Sequence, residues 1–138
     1  MENLKNLALF KQLGAGDFLF VDSSHHIKAG NDVLFLFLNI LPTLANGVII
    51  HFHDIFLPYE YPTEWLITQR WNWTEQYLLQ AILQESSRYQ FLWAGYYLQQ
   101  TLPGFNNSFR YWGGGSAKSV WLRRIGKGAF TEGHSSTT

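Results

Sequence analysis

The sequence predicts an α/β protein built on an open sheet with parallel strands. Two segments carry the prediction. Asp17-Phe18-Leu19-Phe20-Val21-Asp22-Ser23-Ser24-His25 and Gly47-Val48-Ile49-Ile50-His51-Phe52-His53-Asp54 are short apolar runs that each break off in acid and imidazole. Buried parallel strands read as continuous apolar runs, and open α/β sheets hold ligands just beyond the carboxyl ends of their strands. Side by side, the two strands would place Asp22, His25, His53 and Asp54 on one rim, where chemistry is expected. The third observation is the nearly all-apolar segment 33–41 between them, which supplies the crossover that parallel neighbours require.

Composition narrows the function classes. With 138 residues, 46% of them hydrophobic, the chain has material for one domain and one core. Ten Lys and Arg balance ten Asp and Glu, so no positive surplus favours nucleic acid or an anionic membrane surface. The absence of cysteine excludes disulfides, thiolate zinc sites and a cysteine nucleophile, and fits a reducing compartment. No apolar stretch has signal-peptide length, and residues 33–38 fall far short of the ~20 a membrane span needs. The expectation is a cytoplasmic protein.

The elements follow in order. Leu4, Leu7, Ala8 and Leu13 share a helical face, so a helix is expected over 3–13, stopped by Gly14. Gly14-Ala15-Gly16 precedes its strand, whereas a nucleotide loop follows one, and reads as a turn. Strand 17–22 comes next. Asn31 or Asp32 can cap a helix over 33–41 by accepting from its free amides. Pro42, Asn46 and Gly47 turn the chain into strand 48–53. The loop from Phe56 to Pro62 has two prolines and several aromatics, and reads equally as a substrate wall or as packing. Trp65, Trp71 and Trp73 lead to a second helix, where Asn72 and Glu75 have capping-box spacing. Tyr77, Leu78, Ala81, Ile82 and Glu85 continue it to about Ser86. Residues 89–94 read as a strand, 101–116 as a polar connection, and 119–123 as a last strand. The domain is expected to span 1–125, followed by a disordered tail over 126–138.

Several blocks together resemble one family. They are Phe20-Val21-Asp22-Ser23-Ser24-His25, Leu41-Pro42 with Gly47-Val48, and His51 through Pro58. The helix from Trp71-Asn72 through Glu75-Gln76-Tyr77-Leu78-Leu79, and Gly114-Gly115-Ser116 with Trp121-Leu122-Arg123-Arg124, complete the set. From about Leu13 to Arg124 the chain resembles a class I S-adenosylmethionine-dependent methyltransferase of the bacterial methyltransferase-24 type. The resemblance implies a partial Rossmann-like fold, three-layered, with a mostly parallel sheet of about four strands and an antiparallel last strand. Strands 17–22, 48–53, 89–94 and 119–123 are similar to the family's fourth to seventh. Its first three strands have no counterpart here, nor do their Gly-rich turn and ribose-binding acid. The chain is thus expected to be the C-terminal half of a methyltransferase, with its cofactor-binding residues unassigned. Strand 17–22 would then be an apolar edge, to be covered by self-association, the N-terminal helix or a partner chain.

What the resemblance implies for chemistry is O-methyl transfer from S-adenosylmethionine to a small-molecule hydroxyl, assisted by a divalent metal. Asp22, His53 and Asp54 would be the metal set, and His25, three residues after Asp22, the general base. An imidazole titrating near ~6.5 can take a proton at neutral pH. Structural readings stand beside these. Asp22 can cap the next turn, His53 and Asp54 can bond each other, and His25 can orient its loop. His26 and His51 read as structural, with His51 on the same strand face as His53, and His134 as solvent-exposed. Two competing functions remain: an inactive remnant serving as an interaction or assembly module, and a hydrolase-like metal site. The partner expected is a small-molecule acceptor, with no nucleic acid and no membrane.

Overall fold

The computed structural model describes residues 7–111 and 113–126. The expected tail beyond Gly126, with His134, lies outside them, as does the first part of the helix expected at 3–13.

Four strands form one sheet: β1 (Phe18–Val21), β2 (Ile49–His53), β3 (Tyr89–Ala94) and β4 (Ser119–Arg124), in the spatial order β1-β2-β4-β3. β1 lies parallel to β2, with Phe18 opposite Ile49 and Val21 opposite Phe52. β4 is antiparallel to both of its neighbours. The first three strands therefore share one direction, and the reversed last strand slots between the second and third. The fold is α/β and consistent with a partial Rossmann-like sheet, as expected. Its hydrogen bonding is mixed, because the reversed strand sits inside the sheet.

Alternation along the strands sets the core. Leu19 and Val21 of β1, Ile50 and Phe52 of β2, and Val120 and Leu122 of β4 face one side. Helix α1 covers it. Asn31 is its N-cap and accepts from the Leu34 amide at 3.2 Å. The helix is α only over Asp32–Phe35, then widens to a π turn at Leu36–Ile40 and tightens to a 3₁₀ turn at Leu41–Thr43. Pro42 has no amide to extend an α ladder there. Val33, Leu36, Phe37, Ile40 and Leu41 are buried along this segment. Helix α2 (Glu75–Glu85) adds Leu79, with Leu78, Ile82 and Leu83 packed beside it.

The other face of the sheet is different. Phe18 and Phe20, on the outermost strand, are 45% and 54% exposed. His51 stacks on Trp121 with ring centroids 4.9 Å apart and meets Phe20 edge-on at 4.8 Å. An aromatic and imidazole stripe thus runs across β1, β2 and β4. Among the described residues no helix is long and apolar enough to cross a membrane.

Besides a short π turn at Glu64–Thr68 and a 3₁₀ turn at Phe105–Ser108, a whole α-helix was not legible. α3 (Gly95–Thr101) follows β3 directly. Its first residue is glycine, the weakest helix former after proline, yet a Cβ there would lie 2.5 Å from the Ala117 carbonyl oxygen. Close approach of the β4 lead-in, rather than helix propensity, requires Gly95.

Candidate active site

Because β1 and β2 are parallel neighbours in register, their carboxyl ends fall side by side. The four residues expected on one rim do meet there. Each strand is followed by a left-handed non-glycine residue: φ is +54° at Asp54, directly after β2, and +58° at His25, four residues beyond β1. Aspartate and histidine tolerate this conformation better than most side chains, and such strain of about 1–3 kcal/mol persists only where surroundings impose it.

The surroundings of His25 are explicit. Its amide donates to Ser23 Oγ at 2.9 Å. Its carbonyl accepts from the amides of Thr74 and Glu75, at 2.8 and 3.1 Å. The Ile27 amide donates to Thr74 Oγ1, and His26 Nδ1 lies 2.8 Å from the Asn72 carbonyl. The 23–27 loop is therefore stitched to the start of α2. This overturns the expected capping box. Thr74, not Asn72, is the N-cap, and it makes no side-chain cap bond. The His25 carbonyl serves the first-turn amides instead, which frees the Glu75 side chain to turn inward.

Glu75 is the buried member of this cluster that sequence reasoning missed. Its side chain is 1% exposed, and its Oε2 accepts from Ser23 Oγ and lies 2.8 Å from His25 Nδ1. The other ring nitrogen of His25 lies 3.4 Å from Asp22 Oδ1. From there carboxylates and imidazoles alternate along the rim, ending at a lysine. Asp22 Oδ1 is 3.7 Å from His53 Nδ1, which is 3.4 Å from Asp54 Oδ2, and Asp54 Oδ1 is 2.9 Å from Lys118 Nζ. Burial is uneven along it: Glu75 and Asp54 are buried, whereas the Asp22 side chain between them is 53% exposed. Burial pushes the His25 pKa down, but the hydrogen bond and charge of Glu75, with Asp54 and Asp22 adding, outweigh it and hold the imidazole above its ordinary 6.5. His51, by contrast, is pushed below 6.5 by burial and by the neighbouring His53.

An aromatic wall stands over this rim. His25 packs on Trp73 at 4.1 Å, Trp73 stacks on Trp71 at 4.8 Å, and Trp65 meets both. Lys118 lies over the Trp65 ring at 4.8 Å. The 56–61 loop is held by one buried side chain: Gln76 Oε1 accepts from the Phe56 amide and its Nε2 donates to the Tyr59 carbonyl. Packing is thus part of what these aromatics do.

Asp22, His53 and Asp54 are brought together, the His53 Nδ1 lying between the two carboxylates at 3.7 and 3.4 Å. Among the described residues no group of three or more His, Asp or Glu side chains is placed to hold a metal ion. The Lys118 ammonium already neutralises the Asp54 carboxylate, and a cation bound there would have to displace it. On the outer side, Asp22, Ser23 and Asp32 line an open cleft of about 500 Å³ with Phe10, Val21 and Phe35.

Comparison with known proteins finds a likeness over part of the chain. Residues 1–55 match the family model of a methyltransferase domain, of the methyltransferase-24 type. The matched segment contains β1, α1 and β2, and with them Asp22, His25, His53 and Asp54; it stops before Glu75 and Lys118. No curated protein and no solved structure matches the chain. The family that the sequence blocks resemble is thus the one whose methyltransferase-domain model residues 1–55 match.

Proposed function

We propose that this methyltransferase-type chain serves methyl transfer from S-adenosylmethionine to a hydroxyl of a small-molecule acceptor, with His25 as general base. One observation carries the reading: two parallel strand ends, each followed by a left-handed Asp or His, converge on a rim of alternating carboxylates and imidazoles.

S-adenosylmethionine, when bound, supplies an electrophilic methyl on a sulfonium sulfur. The cleft beside β1 fits such a molecule chemically: Asp22 and Ser23 offer polar contacts near the rim, and Phe10 and Phe35 offer apolar walls. Its size falls in the usual ligand range of roughly 300–1,000 Å³. The chain's own residues handle the proton. His25 does not itself line the cleft, but its Nε2 lies 3.4 Å from Asp22 Oδ1, which does, so an acceptor hydroxyl bonded to Asp22 would pass its proton to that nitrogen as the oxygen gains the methyl. Alignment does the rest, because transfer between two held groups depends mainly on orientation.

Calorimetry with S-adenosylmethionine, and turnover read as S-adenosylhomocysteine across a panel of hydroxylated acceptors, test this. His25→Gln is expected to keep cofactor binding and lower turnover about 10²–10⁴-fold, the usual contribution of a general base. Unchanged turnover in that variant would remove His25 from the reaction.

A second reading, an interaction module, is favoured by the exposed Phe18 and Phe20 on an edge strand. Open apolar edges template pairing with another chain. Sedimentation of the wild type is expected to show association through β1, with Phe20→Lys shifting it to the monomer. A strictly monomeric wild type would count against self-association.

A further inference from the structure

We infer that Glu75 is the positioning residue of His25, fixing the imidazole as the Nδ1–H tautomer and turning Nε2 toward the rim. The inference rests on the reading of His25 as base and deepens it.

Ser23 Oγ accepts the His25 amide proton, at 2.9 Å, and gives its own hydrogen to Glu75 Oε2, at 2.8 Å. That oxygen therefore already receives a hydrogen, and an ionised carboxylate has only acceptor sites to offer. The contact of 2.8 Å to His25 Nδ1 is then an N–H···O bond with the ring as donor. The Oε1 of Glu75 has no hydrogen-bond partner among the described residues. Compensation of this enclosed carboxylate consequently rests on Ser23 and His25, and an unpaired buried charge is costly. Three further constraints hold the ring: the left-handed backbone at residue 25, the carbonyl bonds to Thr74 and Glu75, and the Trp73 face at 4.1 Å.

Free imidazole side chains in water favour the Nε2–H tautomer, which would point a proton rather than a lone pair at Asp22 and the acceptor. Glu75 inverts that preference. A carboxylate that orients an imidazole in this way acts without touching substrate, the same logic by which a third group orients a catalytic base elsewhere. The charged groups facing His25 are Glu75 from α2, Asp22 from the end of β1 and Asp54 from the end of β2.

Nitrogen-15 NMR of the imidazoles in the full chain tests the assignment, at alkaline pH where the ring is neutral. In the wild type Nδ1 of His25 is expected to carry the proton. Glu75→Leu should return the ring to the Nε2–H form and lower kcat by up to the ~10²–10⁴ factor of base catalysis, leaving cofactor affinity unchanged. Glu75→Gln keeps an acceptor oxygen and should restore part of both. A wild-type His25 protonated on Nε2 overturns the inference whether or not any variant folds. If instead the Nδ1–H form is found but His25→Gln turns over normally, the base reading fails, and Glu75 is shown to hold the ring for structure alone.

Discussion

Replacing His25 by leucine is expected to destabilise the fold by about 3–5 kcal/mol, the usual result of stripping a buried charge of its partner. The stranded group is Glu75, which then keeps only the Ser23 hydroxyl. Chemical denaturation of His25→Leu, Glu75→Leu and the double variant measures the interaction. The double variant is expected to be more stable than His25→Leu, since two apolar side chains leave no orphaned charge. The coupling energy between positions 25 and 75 also depends on pH. The folded state holds the imidazole above its ordinary 6.5, against burial, through Glu75 first and then Asp54 and Asp22. A group whose pKa rises on folding binds its proton more tightly in the native state. Its contribution is therefore complete below pH 6.5 and is lost as pH rises through the folded value. The coupling should be larger at about pH 6 than at about pH 9. Equal coupling at both would mean that the pair keeps the same charge state at the two pH values, so that His25 does not titrate between them.

Gly47→Ala is expected to cost about 2–5 kcal/mol, from a left-handed backbone penalty of roughly 1–2 and overpacking of roughly 1–3. Gly47 has φ +89°, and a Cβ there would meet Ala15 at 2.6 Å. The contact has structural meaning. The Gly47 carbonyl accepts from the Gly16 amide and its own amide donates to the Arg124 carbonyl, at 3.0 and 2.8 Å. This glycine thus pins the starts of β1, β2 and the end of β4 against one another, and so sets the register that brings Asp22 beside His53 at the far end. Gly16→Ala is the control, because Gly16 has φ +91° and a Cβ there would meet nothing within 4 Å. It should cost only the backbone part. Equal losses for the two variants, read by chemical denaturation, would show that the close approach is unimportant.

How much was legible follows from which interactions are local. The strands at 17–22, 48–53, 89–94 and 119–123 could be read because each is an apolar run bounded by turn residues, and the structure places strands at all four. The cap at Asn31 could be read because its partner, the Leu34 amide, is three residues away. Glu75 could not. Its partners Ser23 and His25 are about fifty residues distant, and the only local signal it offers, its spacing from Asn72, pointed to a cap that the His25 carbonyl had already made unnecessary. Lys118 was silent for the same reason: nothing near it in the chain announces Asp54. The π widening of α1 and the helix beginning at Gly95 escaped because each answers to a neighbour in space or to a single missing amide, which summed propensities do not register.

By itself, then, the sequence determined the α/β class, the strand positions and the acid and imidazole residues that close β1 and β2, since hydrophobic pattern and abrupt polarity changes are written residue by residue. Only the tertiary structure decided that β4 lies inside the sheet, that Glu75 is the enclosed partner of His25, and that Lys118 rather than a third ligand meets Asp54. The physical reason is one of range. Burial patterns repeat every two to four residues, whereas the pairing of charges in a low-dielectric interior is settled by whichever distant groups the packed sheet brings within hydrogen-bond reach.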